Sequence, residues 1–243
     1  MMWKKKLYIK NNLSPYPLNR TKIDLYFDCK RCFYLDLRKG VRRPYGPPLV
    51  LNSTVNHIVK SEFDKYRESQ SSHPIMKEFS PDVIPGNHDK LESWRNPLVG
   101  IKHIHKETNL QLTGIISDLW LNTKENQFIL VDYKFTSKKE SISEESLWSG
   151  HWKQLSFYKY LIEKQEIIIS PIGVIILFNG KKNTNVFDKK LEFSSHIFSN
   201  LLDTSWVESK IWEIYDLLQS DSVPYPSSNC KYCKYISIVS RVS

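Results

Sequence analysis

Three features of the sequence predict an α/β fold: two apolar runs in tandem, LQLTGIISDLWL and QFILVDYKF, helical repeats on either side of them, and a late apolar strand, PIGVIILFN. With the weaker strand candidate IKHIHKE, their order along the chain is helix, three strands, helix, strand.

Residues 1–19 read as irregular. Between Arg20 and Leu37, the residues Ile23, Tyr26, Phe27 and Phe33 suit helical segments around CKRC, and the proline-rich VRRPYGPPL reads as a connector. In NSTVNHIVKSEFDKY, Val55, Ile58, Val59, Phe63 and Tyr66 fall at helical spacing behind an Asn52 or Ser53 cap. Residues 69–99 hold HP, SP, PG and NP steps and read as a long loop. Beyond the strand pair, Trp152, Leu155, Tyr158 and Ile162 mark a helix within WSGHWKQLSFYKYLIEKQ. Ser205 and Glu208 have capping-box spacing for a helix carrying Val207, Ile211, Tyr215 and Leu218, and a proline-containing loop leads to CKYC. Residues 1–243 read as one domain, with a core at about 52–180 and cysteine-bearing flanks at 20–50 and 205–235.

The 243 residues, 40% of them hydrophobic, are enough to close a sizeable core. No apolar run approaches the ~20 residues of a membrane span, and the basic start lacks an apolar segment behind it, so a cytoplasmic protein is expected. The eight glycines form neither GxxxxGK[ST] nor GxGxxG, and GxSxG is absent, so nothing points to a nucleotide cradle or serine hydrolysis. The net charge of +9 is concentrated: residues 1–43 hold 12 Lys and Arg against three Asp, and the remainder is balanced. Such a segment is a solvated basic tail or a surface for a polyanion, because cations near phosphates release condensed counterions.

Asp118 and Asp132 lie inside apolar strands. If the connecting loop is Thr123–Gln127, they fall directly opposite each other on one face, ~5 Å apart. A slip of one residue would separate them. Like charges so placed are unfavourable unless a cation lies between them, and Mg²⁺ prefers one or two carboxylates together with waters and substrate phosphate oxygens. Lys134 shares the face of Asp132 and would hold an attacking water or the scissile phosphate. The duller reading is a strand-end acid at Asp118 and a surface ion pair between Asp132 and Lys134.

Cys29 and Cys32 form one CxxC and Cys230 and Cys233 another, with none left over and 197 residues between the pairs. In a chain without an export signal these are expected to be four thiolates for Zn²⁺ or a four-iron cluster rather than disulfides, in a site that would join the two flanks, the alternative being four unrelated buried thiols. It would bring the basic segment of Arg31, Arg38, Arg42 and Arg43 to bear on a phosphate backbone. His103 and His105 share a strand face and are a further metal candidate, an exposed strand edge being the alternative.

SDLW, then VDYK, then QLSFY on the following helix, in the element order given above, resembles the PD-(D/E)XK nuclease superfamily, in particular its RecB-like branch. The resemblance runs from about Leu13 to Cys233. It implies a restriction-endonuclease-like α/β core with N- and C-terminal segments joined by the four-cysteine metal site. It also implies a DNase using Mg²⁺ or Mn²⁺, with Asp118 and Asp132 as metal acids, Lys134 as the catalytic lysine, and Gln154 and Tyr158 as a QxxxY pair beside the DNA. His57 resembles a metal histidine of the first helix, and Glu107 an accessory acid. The implied partners are DNA with single-stranded regions and a helicase, recombination or CRISPR-type machine. Relatives with an iron–sulfur staple split their cysteines one and three, whereas here the split is two and two, which keeps zinc in contention. The rival reading is a non-catalytic nucleic-acid-binding protein in which the cysteine site and the basic flank do the binding.

Overall fold

Asn122 and Asn126 close the tight turn that organises the central hairpin. The Asn122 Oδ1 accepts the backbone N–H groups of Lys124 (3.0 Å) and Glu125 (3.1 Å), and Asn126 takes a left-handed φ of 53°, which asparagine tolerates better than most residues. In this computed structural model, which describes residues 6–242 apart from 45, 47, 48, 184, 185 and 187, the chain runs β1 (Tyr16–Asn19), α1 (Arg20–Asp28), α2 (Lys30–Lys39), α3 (Val50–Glu68), β2 (Val83–Pro85), α4 (Leu91–Arg95), β3 (Ile101–His105), β4 (Leu110–Gly114), β5 (Asp118–Asn122), β6 (Gln127–Thr136), α5 (Gly150–Glu163), β7 (Ile169–Gly180), β8 (Phe193–Leu201), α6 (Ser205–Gln219) and α7 (Lys231–Val242).

These elements form two compact units. One comprises Pro48–Ile101 and Gly114–Thr204, the other Met1–Pro47, Lys102–Thr113 and Ser205–Ser243.

The first unit is built on a five-stranded sheet of order β2-β5-β6-β7-β8. β6 and β7 run parallel, with α5 supplying the crossover that a parallel pair needs, and the other neighbours are antiparallel. Side chains alternate across the sheet, which divides it into two layers. On one face Trp120, Val131, Tyr133, Val174 and Ile176 pack against Val59 and Phe63 of α3. On the other, Lys134 reaches Gln154 of α5.

Several elements depart from what the sequence suggests. The apolar run 110–121 is not one strand: it breaks over 115–117, so that β4 and β5 belong to different sheets. The break follows Gly114, where an added Cβ would lie 2.6 Å from Tyr158 Cδ1, so no larger residue fits there against α5. The strand beside β5 is the short β2, from within the expected loop 69–99, and not β3. Pro85 is admissible there because β2 is an edge strand. β8 on the opposite edge was not anticipated, its half-buried SSHIFSN pattern being too polar to signal a strand.

The second unit carries the three-stranded sheet β1-β4-β3 with α1, α2, α6 and α7. Residues 16–19, expected to be irregular, pair in parallel with β4 from Tyr16↔Leu110 to Asn19↔Thr113, burying Tyr16 and Leu18. Asn19 then caps α1 by accepting Lys22 N–H at 3.1 Å. Gly40 ends α2 in the left-handed conformation, φ 76°.

Candidate active site and cysteine cluster

The turn described above has four residues, 123–126, and this sets the hairpin register. Asn122 pairs with Gln127, and Asp118 therefore pairs with Val131. The expected opposition of Asp118 and Asp132 is corrected by one residue. Because alternate side chains point to opposite faces, Asp118 joins the α3 layer with Trp120, Val131 and Tyr133, while Asp132 joins the α5 layer with Lys134. The residue set against Asp132 is Ser117, whose Oγ donates to Asp132 Oδ1 at 2.6 Å.

Asp118 is fully buried and has its own cations. Arg67 of α3 and Arg95 of α4 both bond its Oδ1, Arg95 Nη2 at 2.5 Å, and Tyr133 Oη donates to Oδ2 at 2.5 Å. Asp64 extends the network to Arg67 and, at 2.8 Å, to Arg95. Burial opposes the charge of Arg95, but Asp118 and then Asp64 outweigh it and hold its pKa above the ordinary arginine value. Burial and Asp118 together push Tyr133 well above the usual phenol range, keeping it a donor. Lys60 of α3 faces the same charges: burial and Arg95 lower its pKa, while Asp118, Asp132 and Asp64 act the other way. A buried acid does need positive charge around it, and here side chains supply it.

On the α5 face, a continuous polar chain connects most of the remaining expected residues. Lys134 Nζ lies 2.6 Å from Asp132 Oδ2 and donates to Gln154 Oε1 at 3.0 Å, and Gln154 Nε2 donates to Tyr158 Oη at 3.1 Å. Gln154 and Tyr158 stand one turn apart on α5 and so share a face. Asp132 is 3% exposed, and its Oδ2, though close to the lysine, has no well-directed hydrogen bond. As a buried carboxylate whose Oδ2 is engaged by the Lys134 ammonium without a well-directed hydrogen bond, Asp132 suits a divalent ion that draws its other ligands from water and substrate phosphates. Asp118, saturated on the other face, does not fit that role.

His57 lies on the exposed side of α3. Glu107 belongs to the second unit, in the turn after β3, where its carboxylate lies 3.6 Å from His105 Nε2. His105 itself is buried between Thr108 Oγ1 and Glu208 Oε1, both at 2.9 Å, a structural role rather than an open metal position.

Sequence reading missed Ser117, Arg67, Arg95, Lys60 and Tyr133. The signal for Ser117 was the length of the turn. Arg67 and Arg95 gave no periodic signal, being cations that become buried only once the tertiary fold forms.

Among the described residues, one group of three or more metal-ligating side chains converges: Cys29, Cys32, Cys230 and Cys233, with sulfurs all within 4.8 Å of one another. Each CxxC opens a helix. Cys29 caps α2, and Cys230 immediately precedes α7. The helix N-termini favour thiolates. The Cys29 thiol is lowered to about 6: burial would raise it, but hydrogen bonds from the backbone of Ser227 and Cys32 and from neighbouring thiols prevail.

The four arginines of the basic flank are occupied within the second unit. Arg31 donates to Pro224 O at 3.4 Å, Arg38 lies 3.4 Å from Asp221, and Arg42 lies 3.6 Å from Asp36. Arg43 pairs with Asp28, donates to Cys230 Sγ at 3.2 Å, and lies over the Tyr232 ring at 4.6 Å. Arg31, Arg42 and Arg43 still line a groove of about 530 Å³ with Tyr232 and Tyr235.

The family model of the PD-(D/E)XK nuclease superfamily matches residues 48–238. The chain belongs to this superfamily, as its restriction-endonuclease-like α/β organisation and its VDYK strand lead one to expect. No curated protein matches the chain. No helix among the described residues is long and apolar enough to cross a membrane.

Proposed function

We propose that the protein is a Mg²⁺- or Mn²⁺-dependent DNase of the RecB-like branch, acting on DNA with single-stranded regions in repair, recombination or defence. The carrying observation is the Ser117–Asp132–Lys134–Gln154–Tyr158 chain on one face of the sheet. Asp132 would hold the ion, which when bound supplies Lewis acidity and an activated water. Lys134 would orient the nucleophile or the scissile phosphate, and Gln154 fixes the direction of its ammonium. Tyr158, one helical turn on, would place the nucleic-acid strand. His57 and Glu107 are retained only as accessory ligand proposals, and the groove of Arg31, Arg42 and Arg43, together with Arg38, as a proposed phosphate-binding set. A helicase or recombination partner fits the same reading.

The test is to incubate purified protein with single- and double-stranded DNA in Mn²⁺ and in chelator. Mn²⁺-dependent cleavage that falls at least about 100-fold in Lys134→Ala is expected, since a positioned charge at the reacting centre supplies this order of acceleration. Cleavage unaffected by the chelator or by Lys134→Ala would refute the assignment.

One observation favours a second reading, a protein that binds DNA without cutting it: Ser117 stands where a second metal carboxylate would face Asp132. That reading predicts salt-sensitive DNA binding with no turnover. It also predicts that Ser117→Asp raises Mn²⁺ affinity about tenfold or more, because a second carboxylate adds ligand charge. Titration with Mn²⁺ measures this, and the further change Asp132→Ala should cancel the gain. An unchanged affinity in Ser117→Asp would mean that the two side chains do not face a common ion.

A further inference from the structure

We infer that the four-cysteine cluster holds one Zn²⁺ ion and not a four-iron cluster. The argument rests on the separation of the sulfurs. Cys29 and Cys233 are 3.9 Å apart, Cys32 and Cys230 3.6 Å, and Cys32 and Cys233 3.5 Å, with every pair inside 4.8 Å. Four thiolates bound to one Zn²⁺ at about 2.3 Å stand about 3.8 Å from one another by tetrahedral geometry. A four-iron cluster gives each thiolate a separate iron at the corner of a cube, which holds the sulfurs roughly 6 Å apart. Sulfurs at 3.5–3.9 Å are already near mutual contact, so the space between them admits one ion and no inorganic sulfide.

The surroundings agree with a compact anionic site. Cys29, Cys32 and Cys230 are buried, with Leu25 packed against them. A zinc bound by four thiolates carries two surplus negative charges, and the Arg43 guanidinium, which Asp28 shares, donates to Cys230 Sγ and offsets part of them. Cys29 caps α2, Cys230 immediately precedes α7, and the backbone of Cys32 and Ser227 hydrogen-bonds the Cys29 sulfur. The inference concerns the cysteines alone, so failure of the DNA-cleavage assay would leave it standing.

The decisive measurement is metal and acid-labile sulfide in the full chain, purified without oxygen from cells supplied with both iron and zinc. About one zinc per chain, with no sulfide and no visible absorption, is expected for a closed tetrathiolate site. Cobalt in place of zinc should give the colour of a tetrahedral thiolate complex, and Cys230→Ser should lose most of the zinc and lower the melting temperature. Equal iron and sulfide near four per chain would overturn the inference, as would a single iron without sulfide or four free thiols with no metal. Should Cys230→Ser fail to fold, the stoichiometry of the unaltered chain still decides.

Discussion

Asp132→Ala should eliminate metal-dependent DNA cleavage, a loss of at least about 10³-fold, while leaving salt-sensitive DNA binding close to that of the parent chain. Among the described residues Asp132 is the carboxylate that pairs with Lys134, and Ser117, Lys134 and Gln154 cannot replace an anionic ligand. A factor of that size corresponds to about 4 kcal/mol of transition-state stabilisation, which is what a single metal ion acting on a phosphoryl oxygen supplies. The stability cost should be smaller, about 1–2 kcal/mol, because the Lys134 side chain is 21% exposed and can turn its freed ammonium to water. Comparison of initial rates in Mn²⁺, together with DNA retention at two salt concentrations, separates loss of chemistry from loss of substrate. Cleavage that survives in Asp132→Ala would mean that the reaction is carried elsewhere on the chain.

Much of the arrangement around Asp132 could be read from residue spacing. β6 and β7 stand out as apolar runs and α5 by its Trp152, Leu155, Tyr158 and Ile162 spacing, and the four-residue spacing of Gln154 and Tyr158 alone places them on one face of a helix. Pairing between strands is less legible, because one residue of turn length moves every side chain of a strand to the other layer. The left-handed Asn126 and the double acceptance by Asn122 decide it, and neither leaves a hydrophobic pattern to follow. The edge strands are hidden for a related reason. β2 spans three residues and β8 is only half buried, so neither carries a full apolar alternation. The helix α7 was not anticipated, although it begins at the second CxxC; its apolar residues, Ile236, Ile238, Val239 and Val242, remain exposed. Charge clustering in residues 1–43 likewise did not reveal the arginines' contacts within the second unit, where Arg38, Arg42 and Arg43 meet acids and Arg31 a backbone carbonyl.

Asp118→Ala should cost about 3–5 kcal/mol of folding stability, the usual penalty for removing one member of a buried ionic group, and so a large share of the roughly 5–15 kcal/mol that holds a typical domain together. The substitution strands two guanidinium groups, each with a side chain less than 10% exposed, and leaves the Tyr133 hydroxyl without its acceptor. Asp64, which already contacts both arginines, and Glu92, 3.3 Å from Arg95, offer partial relief, but their side chains are 39% and 85% exposed and neither replaces the fully buried Asp118 carboxylate. Urea unfolding followed through the Trp94 and Trp120 signals would report the change, since both indoles are buried in the same unit. A metal-ligand role makes the opposite forecast: loss of an acid awaiting a cation would leave stability unchanged or raise it in the absence of metal, and the deficit would appear in Mn²⁺ affinity. Triple replacement of Asp118, Arg67 and Arg95 by apolar residues of similar volume should recover much of the lost stability, because no charge then remains to be solvated. An Asp118→Ala chain that unfolds at the parent urea concentration yet no longer binds Mn²⁺ would place the ion on the α3 face after all.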